Sequence, residues 1–373
     1  MGLVRLCIAG GGTGGHVFPA LATAAAVRAR APQAALLFVG TAAGLEARLV
    51  PAAGYPFETI RVRGLTGKAL GERIMALVVL PGAVAQSRRL LARFGPDVVL
   101  GVGGYVAGPV LVAAALRGVP TVLHEQNAIP GLTNRLLCRM ATAVAVSLEA
   151  ARVHLPTRRL TVTGNPVRAD LFEHARDRSR EAFGLAPDRT TLLVFGGSQG
   201  ARRLNEAMRG VAGALTECRT RIQFLHATGE RDREAVAAAY AAAGIRAVVL
   251  PFIEAMGAAY AAADLVICRA GATTVAELAA LGKPAILVPF PHAAGDHQRH
   301  NAAALAAGGG AVLVLEQDLT SAGLADRIRE LVQDPVRLGR MARCAAAAGR
   351  PDAAERLADL LFEVAGAADR REA

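Results

Sequence analysis

The chain has 373 residues, 53% of them hydrophobic and 4% aromatic, and a formal charge of +11. That length exceeds what one core sustains, so two domains are expected. The five cysteines are scattered and show neither C-x-x-C nor zinc-ligand spacing, which fits a reduced, cytosolic chain best.

Charge placement says more than its total. Residues 1–163 hold 17 Lys/Arg against 6 Asp/Glu, whereas residues 164–373 hold 25 of each. The excess therefore sits in the first half, which implies an anionic partner there. Arg outnumbers Lys 40 to 2, a bias read here as genomic composition rather than chemistry.

The first strand-like run, "VRLCIAG", leads directly into "GGGTGGH". Without a charged segment followed by an apolar core, no signal peptide is expected. Gly10, Gly12 and Gly15 fit G-x-G-x-x-G. Between a strand and a helix, such a loop offers backbone N–H groups to an anion. A dinucleotide site also needs an acid at the end of the second strand. That strand, "ALLFVGT", ends in Gly40 and Thr41, and the first acid beyond it is Glu46, in the next helix. The NAD reading lacks its partner. His16, beside the helix N-terminus, is expected to stay neutral and able to accept a proton; capping the loop would use it equally well.

Further along come "FETIRV", an apolar and basic stretch at 73–94, and "DVVLGVG". The uncharged run from Val98 to Leu116 contains Gly101, Gly103, Gly104, Gly108 and Pro109, so it reads as strand, loop and helix (108–117) rather than a membrane span. Tyr105 falls in its glycine loop. "PTVLHE" then opens "LHEQNAIPGLTNR", where His124, Glu125, Gln126 and Asn127 crowd the end of a buried strand. Such polar density suits a ligand crevice. After "AVAVSL" and "LTVTGN", the Gly-Asn-Pro of "TGNPVR" marks a domain junction.

The pattern then restarts. "TTLLVFGGSQGARRLNEAM" again gives strand, glycine turn and helix, with Ser198 in the turn. "RIQFLHATG", "RAVVLPFI", "DLVICRAG", "PAILVPFP" and "GAVLVLE" continue it. This alternation predicts α/β units around parallel sheets. "CRAGATTVAE" offers a second anion site at Ala272–Thr274, with Glu277 placed for ribose hydroxyls. "PHAAGDHQRHN" carries three histidines, but Gln298 reads better as an amide for sugar recognition than the cluster does as a metal site. No D-x-D pair occurs, so a helix dipole is expected to hold any leaving diphosphate. The last stretch, from Pro351, predicts an amphipathic helix burying Leu357, Leu360, Leu361 and Val364.

The ordered motifs "GGGTGGHVFPALA", "GVGGYVAGP", "HEQNAIPGLTNR", "GNPVR", "GGSQGAR", "CRAGATTVAE" and "DHQRHNA" together resemble the MurG family. These are bacterial glycosyltransferases that convert lipid I to lipid II with UDP-N-acetylglucosamine (UDP-GlcNAc). The resemblance implies a GT-B fold, with two Rossmann-like doubly wound parallel-sheet domains facing a cleft. Residues 1–163 would bind acceptor and membrane, 164–345 would bind UDP-GlcNAc, and 346–373 would pack back on the N-terminal domain. Thr13, Gly14, Gly15, Asn127, Arg168, Ser198, Ile253, Ala272, Thr273, Thr274, Glu277 and Gln298 are implied as donor positions. Thr273 departs from the bulkier residue common in the family. Tyr105 and His124 are expected at the acceptor side. His16 is expected as the base, with Glu125 as the alternative.

The implied reaction is inverting transfer of GlcNAc to the C4 hydroxyl of the MurNAc of lipid I, in cell-wall synthesis, cell shape and division. It implies no tightly bound cofactor and no metal. The implied partners are UDP-GlcNAc, lipid I, an anionic membrane surface, and other cell-wall synthesis and division proteins. The implied place is the cytoplasmic face of the inner membrane, held peripherally. Ile74, Met75, Leu77, Val78 and Leu80, with Arg88 and Arg89, are expected as the docking patch. The alternative is another GT-B enzyme on UDP-sugars, a lipid glycosyltransferase or UDP-GlcNAc epimerase. Nucleic acid is disfavoured, because the arginines are not interleaved with stacking aromatics.

Overall fold

The computed structural model describes residues 4–62, 70–197 and 200–372, with side chains described except at 70–78 and 368–372. In chain order the first elements are β1 (Arg5–Ala9), α1 (Gly14–Arg30), β2 (Ala35–Gly40), α2 (Glu46–Ala52), β3 (Phe57–Thr59), α3 (Leu70–Phe94), β4 (Val98–Gly101), α4 (Gly104–Ala115), β5 (Thr121–Glu125), α5 (Leu132–Leu137), β6 (Ala143–Val146) and β7 (Leu160–Val162). There follow α6 (Arg176–Ala182), β8 (Thr190–Phe195), α7 (Arg202–Ala214), β9 (Ile222–Ala227), α8 (Arg233–Ala242), β10 (Ala247–Leu250), α9 (Met256–Ala262), β11 (Leu265–Cys268), α10 (Ala272–Ala280), β12 (Ala285–Leu287), α11 (His297–Ala307), β13 (Ala311–Leu313), α12 (Ser321–Gln333), α13 (Pro335–Ala348) and α14 (Ala353–Glu372).

The chain divides into two units. Unit 1 is Met1–Arg168 with Arg350–Ala373, and unit 2 is Ala169–Gly349. Unit 1 holds a seven-stranded sheet in the order β3-β2-β1-β4-β5-β6-β7, and unit 2 a six-stranded sheet in the order β10-β9-β8-β11-β12-β13. All pairings are parallel. Helices cover both faces, which is why the central strands read as unbroken apolar runs rather than alternating ones.

Unit 1 has a core on each face of its sheet. On one face Leu6, Ile8, Val98 and Leu100 meet α1 and α14; on the other Cys7, Val99 and Leu123 meet α3 and α4. Leu357, Leu360, Leu361 and Val364 of α14 are all buried there. The unit closes at Arg168 rather than 163. Gly164, at φ +88°, lies so near Arg350 and Ala353 that a Cβ would collide with both, tying the "TGNPVR" turn to the returning helix. α4 begins at Gly104, earlier than the expected 108, because glycines at φ +93° and +77° (Gly103, Gly104) turn the chain sharply into it. Tyr105 therefore belongs to the helix's first turn. Among the described residues, no helix is long and apolar enough to cross a membrane.

Candidate active site

In unit 1 the strand order reverses between β1 and β4, and Ala9 pairs with Gly101 at their carboxyl ends. Ligands bind at such switch points in open α/β sheets. The loops leaving these strands touch, since a Cβ on Gly10 would collide with Val102. His16 stands in the first turn of α1, half-buried. Its Nδ1 lies 3.1 Å from the Gly11 carbonyl oxygen. A carbonyl can only accept, so Nδ1 carries the hydrogen and Nε2 the lone pair. The Nε2 side faces Gly103, where a Cβ would stand 3.0 Å away. Tyr105, 38% exposed, lies beside Gly12.

Glu46 answers the question its position raised. Its carboxylate is buried and turns back into the glycine loop. Gly12 N–H donates to Oε2 at 2.8 Å, while Thr41 donates to Oε1 from its N–H and its hydroxyl, each at 2.9 Å. The loop's anion-binding amide is thus occupied by the protein's own carboxylate, a physical reason why the dinucleotide spacing is misleading here. Burial pushes the Glu46 pKa up, but the bonds from Gly12 and Thr41 outweigh it and hold the group below its ordinary value.

The end of β5 is a densely hydrogen-bonded polar cluster. Glu125, buried, accepts from Asn127 N–H (2.9 Å) and Asn127 Nδ2 (3.2 Å) on Oε1, and from Gly131 N–H (3.1 Å) and Asn134 Nδ2 (2.8 Å) on Oε2. Burial nevertheless raises its pKa. Its geometry is that of a clasp for the 127–131 loop. His124, fully buried, donates from Nε2 to the Gly164 carbonyl (3.1 Å) and accepts at Nδ1 from Gln126 Nε2 (3.1 Å). Gln126 Nε2 also donates to Val102 O at 2.7 Å, fixing the strand end beside His16. Asn127 is half-buried, and Arg168 lays its guanidinium over the Phe18 ring of α1 at 4.8 Å. Thr13 is exposed, and Gly14 and Gly15 are half-buried at the start of α1.

Unit 2 repeats the design. Its strand order reverses between β8 and β11, with Phe195 paired to Cys268. The 196–200 loop follows β8; Ser198 lies outside the described residues. Gly200, at φ +75°, is pressed against the Thr228 carbonyl so closely that a Cβ would collide. Behind it, buried Asn205 donates from Nδ2 to Thr228 O (2.8 Å) and Asp232 Oδ2 (2.7 Å), and accepts at Oδ1 from His226 Nε2 (3.1 Å). His226 Nδ1 accepts from the Tyr240 hydroxyl at 3.1 Å.

Beyond β11, Ala272, Thr273 and Thr274 form the half-buried first turn of α10, capped by Gly271 in an extended conformation. Glu277, one turn on, accepts from Tyr260 Oη at 2.8 Å. Gln298 Oε1 accepts from Ala270 N–H (3.2 Å) and Phe290 N–H (2.9 Å), joining the loops after β11 and β12. Ile253 is buried after β10. In α3, Leu80, Arg88 and Arg89 are exposed; the side chains of Ile74, Met75, Leu77 and Val78 lie outside those described.

Two buried histidines make stability pH-dependent. Burial pulls the pKa of His124 down to about 4, a shift opposed by its Gly164 bond and deepened by nearby His16. Burial alone pulls His226 down to about 3. An unfolded histidine protonates near 6.5, so stability from both is complete above that pH and drains away as pH falls towards 4 and then 3. The thermal midpoint should fall between pH 7 and 5, and less so in a His124→Gln/His226→Gln double variant. An equal fall in that variant would refute the assignment.

Sequence reasoning passed over Glu46, Asn205 and His226 as functional supports. For Glu46 the decisive feature, the crowding of its side chain by Gly11, Gly40 and Gly44, exists only in the fold. Nothing local marks the Asn205–His226 pair, which meets across two elements.

The glycosyltransferase family 28 N-terminal domain matches residues 6–146, and the glycosyltransferase family 28 C-terminal domain matches residues 191–357. A protein of Anaeromyxobacter sp. (strain K), named UDP-N-acetylglucosamine–N-acetylmuramyl-(pentapeptide) pyrophosphoryl-undecaprenol N-acetylglucosamine transferase, is 50% identical over 97% of this chain and 93% of its own. One of the same name from Myxococcus xanthus is 46% identical over 97% and 93%. Among solved structures, Acinetobacter baumannii MurG superposes with a TM-score of 0.77 at 33% identity, covering 96% of this chain and 99% of that one. A UDP-GlcNAc 2-epimerase from Neisseria meningitidis gives 0.71 at 13% identity, over 97% and 100%, a likeness of fold alone.

Proposed function

The chain belongs to glycosyltransferase family 28, and on that premise we propose that it transfers GlcNAc from UDP-GlcNAc to the C4 hydroxyl of the MurNAc of lipid I, with inversion, giving lipid II. The observation that carries this reading is the 46–50% identity, across 97% of the chain, to transferases named for that reaction. Both units have the Rossmann-like build of a GT-B enzyme.

The chemistry is one displacement. The acceptor hydroxyl gives its proton to His16 Nε2 while its oxygen bonds to the sugar's anomeric carbon. The bond from that carbon to the diphosphate breaks, and its electron pair leaves with UDP. His16 suits the base because its Nδ1–H is committed to Gly11 O. Negative charge grows on the diphosphate, which the amides at Ala272–Thr274 and the α10 dipole stabilise together with Ser198 and Arg168. Glu277 takes the ribose hydroxyls. Gln298, with Oε1 held by backbone, presents its NH₂ to the sugar or phosphate. Thr13, Gly14, Gly15, Asn127 and Ile253 complete the donor contacts. Glu125 holds the 127–131 loop, and Tyr105 and His124 stand on the acceptor side. No tightly bound cofactor enters this reading.

Labelled GlcNAc should pass from UDP-GlcNAc to a lipid I analogue, with UDP released only when acceptor is present. Release of UDP without acceptor, or formation of a 2-epimer, would replace this reading with another GT-B activity.

The enzyme would work peripherally at the cytoplasmic membrane face, beside other cell-wall synthesis and division proteins. The basic excess of residues 1–163 supports contact with anionic lipid, at about 1 kcal/mol per Lys or Arg near the surface. A Leu77→Glu/Val78→Glu variant should lose binding to anionic vesicles yet keep activity on a soluble acceptor. Retained vesicle binding would remove this patch.

A further inference from the structure

One peptide group joins Glu46 and His16. Its N–H is that of Gly12 and its carbonyl that of Gly11. We propose that Glu46 is the positioning residue of His16, its carboxylate gripping the N–H of the Gly11–Gly12 peptide while the carbonyl of that peptide accepts the His16 Nδ1–H. This rests on the reading of His16 as the base.

The geometry supports each link. The carboxylate bond is 2.8 Å and the histidine bond 3.1 Å. A charged acceptor on an amide N–H makes a charge-assisted bond. It also draws electron density through the amide onto the carbonyl oxygen, so the two bonds strengthen one another. The carbonyl then fixes the imidazole's tautomer and favours the imidazolium formed when Nε2 takes the proton. A carboxylate placed directly on a histidine does the same in a Ser-His-Asp triad; here the peptide lies between them.

The cavity around Glu46 is built for this purpose. Glycine stands at 11, 40 and 44, where any Cβ would collide with its side chain. Thr41 holds the second oxygen through two bonds, leaving Oε2 aimed at Gly12. The hydrogen bonds keep Glu46 ionised. Titratable groups near His16 include His124 from the end of β5, and Tyr105 of α4 lies against the same loop at Gly12. Buried His124 remains neutral above about pH 4, so it contributes no charge in the working range.

The test is the pH dependence of kcat. Glu46→Gln keeps the shape but removes the charge and one of the two acceptor oxygens, so its amide NH₂ must face the N–H of either Gly12 or Thr41. His16 should then lose its proton at lower pH, moving the acidic limb of the profile down on the order of one unit. Imidazole NMR of His16, in wild type and variant, should show the same shift even if turnover is impaired. Thr41→Val removes one bond to Glu46 but keeps its charge, so it should lower stability without moving the limb. An unmoved limb and an unmoved NMR titration in Glu46→Gln would overturn the proposal, as would an equal shift in Thr41→Val. Failure of the underlying reading looks different: His16→Ala would then keep its kcat.

Discussion

His16→Ala should lower kcat by roughly 10²- to 10⁴-fold, the usual contribution of a positioned general base. UDP affinity should be retained, because removal of the ring leaves the loops of unit 2 intact. The size of the loss follows from how the ring is held. Its Nδ1–H is bound to Gly11 O, its flank lies against Gly103 and Gly104, and that strand end is tied through Gln126 to His124 and Gly164. A base fixed this firmly meets the acceptor hydroxyl without paying orientation entropy at each turnover. Steady-state kinetics with a lipid I analogue, alongside UDP titration, measures both quantities. A loss below threefold removes His16 from the mechanism and shifts attention to Glu125.

The second large effect concerns unit 2 and lies far from chemistry. Asp264 precedes β11 and gathers three donors: Arg180 Nη2 at 2.6 Å, Arg176 Nη2 at 2.6 Å and Thr191 N–H at 2.8 Å. Arg180 is among the most buried side chains of the chain, 2% exposed. Its other donors reach only carbonyls, Ala262 O and Pro187 O. Nearby Lys283 is bound to Ala263 O, and burial lowers its pKa. Asp264→Ala would leave a buried guanidinium without its counter-charge, a loss of about 3–5 kcal/mol. Urea unfolding measures it, and a loss under about 1 kcal/mol would refute the account. Asp264→Ala/Arg180→Met should recover much of the stability, since a buried pair replaced by apolar groups is often neutral. The ion pair sits at the amino ends of the strands, so folded protein should keep its KM for UDP-GlcNAc.

Much of the fold was legible in the linear order. Seven strand-like runs before "TGNPVR" and six after it became the two sheets, and the central ones are apolar throughout because they are buried on both faces. Positions set by chain direction were legible too. A glycine turn after a strand and before a helix puts backbone amides and the helix dipole at one point, so loops 10–15 and 196–200 and the start of α10 could be located without coordinates. The last helix announced its buried face through the spacing of Leu357, Leu360, Leu361 and Val364. The activity was legible as well, from motifs long enough to identify the family.

The use of individual polar side chains was not legible, because it depends on groups far apart in sequence. Glu46 read as an acid in the wrong place for a ribose. Only packing shows it filling the glycine loop 34 residues earlier. Glu125 read as a candidate base, and only the fold shows the four donors gathered on its carboxylate. The sequence by itself determined the two parallel sheets, the anion-ready loops and the family, since each follows from local periodicity, backbone direction and contiguous motifs. Tertiary structure alone decided which polar groups spend their hydrogen bonds on one another, because a hydrogen bond needs its partners within about 3 Å and only the folded chain brings them there.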